Sequence, residues 1–139
     1  MPKATDDNNI VDGLKDAFTR WAVTKSYADR ICWEGNALEV TNKKAPWFAA
    51  RILPMKPVNR IRGMYHHGIF TIDVIVKANT GLTVLRDTKD LILATFPKGG
   101  YFFKNQQYNI VLAYADASYT DGACIVQPVL IDYEGTVFE

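Results

Sequence analysis

The sequence predicts an α+β domain, a largely antiparallel sheet of about five strands packed by two helices in the order α-β-β-β-α-β-β. Three observations point there. Ile10, Val11, Leu14, Ala17, Phe18, Trp21 and Ala22 repeat on one face of a helix. Phe70, Ile72, Val74 and Val76 alternate with Thr71, Asp73 and Ile75 at the period of a half-buried strand. The other apolar runs are strand-sized and punctuated by Pro and Gly, with no internal repeat and no low-complexity segment.

Taken in order, the first helix is placed at about residues 8 to 25. Asp6-Asp7-Asn8-Asn9 offers N-cap side chains and negative charge at the positive end of the helix dipole, and Arg20 and Lys25 sit near the other end. Residues 1–8 are expected to be a flexible leader. Arg30-Ile31-Cys32-Trp33 reads as a short strand, and the polar stretch from Glu34 to Pro46 as a loop. Trp47 to Leu53 reads as a strand stopped by Pro54 and Pro57, because proline cannot donate to a ladder. A second connection covers about residues 54 to 67, ahead of the alternating strand. Ala78-Asn79-Thr80-Gly81 is a turn, with Thr80 or Thr83 as a cap. Leu82, Leu85, Leu91, Ile92 and Phe96 then form a second helix, ended by Pro97 and Gly99-Gly100. Tyr108 to Tyr114 and Ile125 to Tyr133 supply the last two strands, and Pro128 suggests an edge position or a bend.

The 139 residues, 48% hydrophobic and 22% charged, suit one domain over 1–139 and exclude disordered, collagenous and disulfide-scaffold classes. The near-cancelling charge, +1, argues against a dedicated nucleic-acid binder. Cys32 and Cys124 have no CxxC spacing and no adjoining metal-ligand cluster, which suits a reduced protein. No apolar run approaches the roughly 20 residues of a membrane span, and the polar N-terminus has no signal-peptide pattern.

Candidate chemistry is sparse. His66 and His67 are adjacent, so on a strand they face opposite ways and do not share a metal. A Cys–His nucleophile would need Cys32 or Cys124 to meet His66 or His67 in space, and two ordinary buried thiols are the simpler reading. Asp73 is the lone carboxylate of the alternating strand, and alternation turns it toward solvent or a subunit partner. Trp47, Phe48, Tyr101, Phe102 and Phe103, beside Lys43, Lys44 and Lys104, fit core and interface packing better than base stacking. Gly99-Gly100 follows a helix, whereas phosphate cradles precede one. No catalytic, cofactor-binding or metal-binding residue is assigned.

Charge is distributed unevenly. Between Val40 and Ile72 the chain carries Lys43, Lys44, Arg51, Lys56, Arg60 and Arg62 and no acid. From Asn105 onward it carries Asp116, Asp121, Asp132, Glu134 and Glu139 and no base. Two opposite patches suit head-to-tail ring closure. Lys43, Lys44, Lys56, Arg60, Arg62, Asp116 and Asp121 are therefore the candidate subunit or tube interface. The first five lie in the two long basic connections, the class of loop that tends to be functional.

Ile31-Cys32-Trp33-Glu34-Gly35-Asn36, Pro46-Trp47 through Leu53-Pro54, Gly63, and Gly68-Ile69-Phe70-Thr71-Ile72-Asp73-Val74 follow one another in an order that resembles the tail terminator, or tail-completion, proteins of tailed bacteriophages. Gly81, Phe96-Pro97 and Pro128-Val129-Leu130-Ile131 continue that order, so the resemblance spans most of residues 10 to 134. It implies a non-enzymatic virion protein that assembles as a homo-hexameric ring on the tail tube protein, stops tube polymerisation and presents a surface to the head–tail connector protein. It also implies a place at the head-proximal end of the tail, assembly in the host cytoplasm, no cofactor and no membrane. DNA would pass through the ring without specific binding, which the near-zero net charge permits. The alternatives are a head-closure or neck connector ring and, less well supported, a small nucleic-acid-binding module or an enzyme using His66, His67, Cys32 or Asp73.

Overall fold

A computed structural model describes residues 3–34, 46–61, 63–78 and 82–138. Helix α1 (Lys3–Thr24) is followed by a 3-10 turn and by strands β1 (Ile31–Trp33), β2 (Trp47–Pro54), β3 (Val58–Arg60) and β4 (Gly63–Lys77). Helix α2 (Leu82–Thr95) then leads to β5 (Gly99–Phe103), β6 (Gln106–Ala115), β7 (Tyr119–Asp121) and β8 (Cys124–Phe138). The fold is α+β, with eight strands among the described residues rather than about five, four before α2 and four after it where three and two were expected. The strands run β1-β2-β4-β8-β6-β5 across one sheet, with β3 extending the β2 side of β4 and β7 extending the β6 side of β8. Every pairing is antiparallel except β1 with β2.

The additional strands lack a one-chain signature. β3 is exposed at all three residues and exists because it ladders onto β4 within the stretch expected to be a connection. β5 begins at the glycine pair expected only to stop a helix, and it is held by a two-residue hairpin at Lys104 and Asn105. Both of those residues have positive φ, 49° and 68°, as a primed hairpin turn requires. β7 is a three-residue hairpin arm against β8.

Helix α1 starts at Lys3, so Asp6 to Asn9 lie within it and do not cap it, and the stretch expected as a flexible leader is mostly its first turns. Arg20 pairs with Asp16 at 2.9 Å one turn away, and the last turn holds no base. The helix ends where Ser26 takes φ 60° and the Tyr27 N–H donates to the Ala22 carbonyl at 2.7 Å, the wrapped-back bond of a Schellman ending with serine in the usual glycine place. In α2 the inward positions are Leu85, Thr88 and Ile92, while Leu82 and Leu91, expected inside, are exposed.

Both helices cover one face of the sheet. Ile10, Leu14, Phe18 and Ala22 of α1 meet Phe48, Ala50, Phe70, Ile72, Val74, Val129 and Ile131 in one dry core. Phe18 sits at its aromatic centre, with ring centroids 5.6 Å from Trp21 and Phe48, 6.1 Å from Trp33 and 6.2 Å from Phe70. Gly13 lets α1 press onto β5 and β6, because a Cβ there would stand 2.8 Å from the Tyr108 ring and 2.9 Å from the Phe103 Cβ. The Asn9 amide donates to the Lys104 carbonyl at 3.4 Å and ties α1 to the β5–β6 turn. Buried Gln106 is satisfied by donating to the carbonyls of Gln107 and Thr136, at 2.8 and 3.0 Å.

Pro128 corrects another expectation. β8 is central, between β4 and β6, and Pro128 pairs with Asp73 in mid-sheet. In an antiparallel strand the N–H and C=O of one residue point the same way. The Pro128 carbonyl accepts from the Asp116 N–H at 2.9 Å, so its missing donor faces the break between β6 and β7 and interrupts no ladder.

Candidate functional site

Register defines what the other face of the sheet presents. Residues opposed in an antiparallel ladder share a face. Phe48, Ala50 and Ile52 face the helices, so Ala49, Arg51 and Leu53 of β2 face away. On β4 the outward set is Tyr65, His67, Ile69, Thr71, Asp73 and Ile75, and on β8 it includes Val126, Pro128, Leu130, Asp132 and Glu134. A bulge between Ile110 and Leu112 shifts β6 by one residue, setting Leu112 opposite Asp132 and Tyr114 opposite Leu130 on this outward face. Trp47, Ile75 and Val126 make a small second cluster there. Leu53, Leu112, Tyr114 and Tyr119 remain exposed, and on edge strand β5 Phe102 is 73% exposed. The five residues of that edge carry no charge to discourage pairing.

At one end of this face the β3–β4 hairpin projects. Ile61, at its tip, is fully exposed. The Arg60 guanidinium lies 4.2 Å from the centre of the Tyr65 ring, Tyr65 stacks on His67 at 5.1 Å, and the Tyr65 hydroxyl donates to Glu134 Oε2 at 2.6 Å. That bond, aided by burial, raises the Tyr65 hydroxyl above its ordinary value, since the phenolate would meet the Glu134 carboxylate. A cleft of about 420 Å³ opens beside the hairpin, lined by Ile10, Met55, Lys56, His66, His67 and Tyr133 among others.

At the opposite end lies a cleft of about 390 Å³ lined by Cys32, Trp33, Glu34, Ala49, Ala50, Arg51, Asp73 and Tyr119. Glu34 Oε1 accepts from the Ile52 N–H at 3.4 Å. Burial pushes the Asp73 carboxyl up, and Arg51 offsets part of that. Tyr119 is raised as well, by burial first and then by the charges of Asp73 and Asp121. Asp73 is therefore half-buried in a cleft rather than turned freely to solvent.

The candidate interface residues divide between these ends. Lys56 is exposed just before β3, and Arg60 stands at the hairpin tip. Asp121 ends β7, and Asp116 follows β6, its carboxylate accepting from the Ala117 N–H at 2.9 Å. Lys43, Lys44 and Arg62 lie outside the described residues. The acidic patch is less uniform than the linear sequence suggests, because Glu134 sits at the basic hairpin. Asp132 Oδ1 and Trp47 Nε1 are buried without a hydrogen-bond partner among the described residues.

The chemical groups named from sequence are kept apart. His67 is six residues from Asp73 along β4, roughly 20 Å of strand, and Cys32 neighbours Asp73 at that far end. Cys124 packs on the Trp47 cluster. Among the described residues no group of three His, Cys, Asp or Glu converges as a metal site. Phe48 is core, Trp47 is buried, and Tyr101 and Phe103 pack against the core, so of these aromatics Phe102 alone offers its ring mainly to solvent. Sequence reasoning missed Ile61 and Leu112, and it grouped Phe102 with the packing aromatics without separating it as exposed. The available signal was an isoleucine between two arginines beside a glycine, and the adjacent apolar pair Val111-Leu112 in a strand.

No protein-family model and no curated protein matches this sequence. A solved structure that carries no functional name is similar over 96% of each chain, with a TM-score of 0.77 and 15% identity. At that identity the likeness concerns the fold alone.

Proposed function

We propose that the chain is a subunit of a homo-oligomeric ring, a hexamer, that caps the tail tube of a bacteriophage, ends tube polymerisation and forms the docking face for the head–tail connector. The observation that carries this reading is the distribution of apolar surface. Single exposed apolar side chains need no explanation, but Leu53, Leu112, Tyr114 and Tyr119 share the sheet face that no described helix covers, with Phe102 on its edge and Ile61 on a projecting hairpin. Surfaces of that kind suit burial against other subunits. The order of features that resembles tail terminators supplies the particular assembly, and in such a ring function is shape and interface with no catalytic residue.

The test is mass and shape over a concentration series, by light scattering after size exclusion with negative-stain imaging. A six-fold ring supports the reading. If the protein is monomeric alone, added tail tubes should capture it, since a tube end raises the effective concentration of neighbouring subunits. Particles made without the protein separate the two ring assignments. Overlong tails mark a terminator, whereas normal tails beside filled heads that leak DNA mark a head-closure ring. Failure of both ring formation and capture overturns the proposal.

A further inference from the structure

We infer that the β3–β4 hairpin tip of one copy seats in the cleft between β1, β2 and β7 of the next copy, with Ile61 as the apolar knob of a head-to-tail contact. The inference rests on the ring reading and names the surfaces that close the ring.

Among the described residues the knob has no apolar partner. Ile61 is fully exposed, and the β3 arm that supports it is exposed throughout. A branched aliphatic side chain held there gains burial from a surface that docks on it. Arg60, next to it in the chain, is held on the Tyr65 ring, and Lys56 is exposed at the base of the same arm, while Glu134 is engaged by the Tyr65 hydroxyl.

The far cleft is complementary in character. Ala49 and Tyr119 give it apolar walls, and about 390 Å³ accommodates an aliphatic side chain together with part of a neighbouring cationic one. Glu34 and Asp73 outnumber Arg51 in its lining, and Asp121 adds its charge at Tyr119. Desolvation of Asp73 leaves a carboxylate that an incoming cation would relieve.

Position makes the contact intermolecular. Gly63 at the hairpin end of β4 pairs with Phe138, whereas Asp73 pairs with Pro128 ten residues along. Ten residues of strand span about 33 Å. A chain of 139 residues has a radius of gyration of about 14 Å, so the two features lie nearly a molecular diameter apart. The tip does not reach the cleft of its own copy along that one strand. A knob at one end and a receptor at the other form a heterologous contact, in which every copy gives one and receives one until the rotation closes.

Ile61→Cys tests this directly, because Cys32 already lines the receptor and the substituted side chain is fully exposed and takes no part in the core. Treatment of the assembled variant, alone or on tail tubes, with a short bis-maleimide should give a ladder of covalent multimers rising to the full ring. The ladder should vanish in Ile61→Cys combined with Cys32→Ser. Ile61→Asp should raise the concentration needed for assembly by about tenfold or more, the equivalent of one aliphatic side chain left unburied. Rings of Ile61→Asp at the wild-type concentration, with no ladder from Ile61→Cys, overturn the inference and leave the ring reading standing. A ladder that stops at two copies, or a link to the tube protein instead of a second copy, also overturns it. A wild-type chain that assembles neither alone nor on tubes overturns both.

Discussion

Replacing Phe18 with alanine should remove the centre of the core. The ring is fully buried and lies within 6.2 Å, centroid to centroid, of Trp21, Trp33, Phe48 and Phe70. A buried phenylalanine withdraws about 150–250 Å² from water, which at about 25 cal/mol per Å² is about 4–6 kcal/mol. Alanine keeps a little of that area, the cavity adds a penalty, and Phe→Ala changes in cores cost about 3–5 kcal/mol. Domains are stable by only about 5–15 kcal/mol, so Phe18→Ala should fold with little margin. Urea unfolding followed by the fluorescence of Trp21 and Trp33 measures this. With a slope near 2 kcal/mol per M, the midpoint should fall by about 2 M with the slope unchanged. Phe18→Leu, which leaves a smaller cavity, should lose about 1–2 kcal/mol. A loss below about 1.5 kcal/mol for Phe18→Ala at constant slope would show that α1 does not carry the core described above.

Three further outcomes follow from the geometry. Gly68→Ala would set a Cβ 2.6 Å from both the Leu53 carbonyl oxygen and the Tyr133 hydroxyl, and since the first is backbone the variant should lose about 1–3 kcal/mol in the same unfolding assay. An unchanged midpoint would contradict that packing. Burial raises Asp73, so ionising it costs the folded monomer stability at pH values above its raised folded pKa, and the cost disappears as pH falls below the ordinary value of 3.8. Asp73→Asn should therefore melt higher than wild type at pH 7 and equally near pH 3, and an equal or lower melting temperature at pH 7 would refute the assignment. Lys56→Glu with Arg60→Glu reverses the charge at the hairpin and should impair ring formation or tube capture while leaving the monomer folded. Normal assembly at normal yield would remove the hairpin from the interface.

Much of the core was legible because burial leaves a period. The i, i+3, i+4 spacing of Ile10 through Ala22 marked the inward face of α1, and the alternation of Phe70 through Val76 marked the inward face of β4. The same logic misled at α2, where Leu82 and Leu91 are apolar yet exposed. β3 and β7 were invisible because three-residue arms have no period of their own and exist only through ladders to β4 and β8. Pro128 read as an edge signal because a sequence does not record which side of a strand lacks a partner. At the candidate site the charges of Lys56, Arg60, Asp116 and Asp121 were readable, but their separation along one ribbon was not, nor was the return of Glu134 to the basic end.

By itself, then, the sequence determined the fold class, the inward faces of α1 and β4, the proline stop near the end of β2 and the uneven distribution of charge, since local periodicity, ring chemistry and side-chain charge are properties of short segments. Only the tertiary structure decided that β8 is central, that both described helices lie on one sheet face, and that Ile61 and the Asp73 cleft stand at opposite ends of the sheet. Those features arise from pairings such as Gly63 with Phe138, 75 residues apart in the chain, and no short window contains both partners of such a contact.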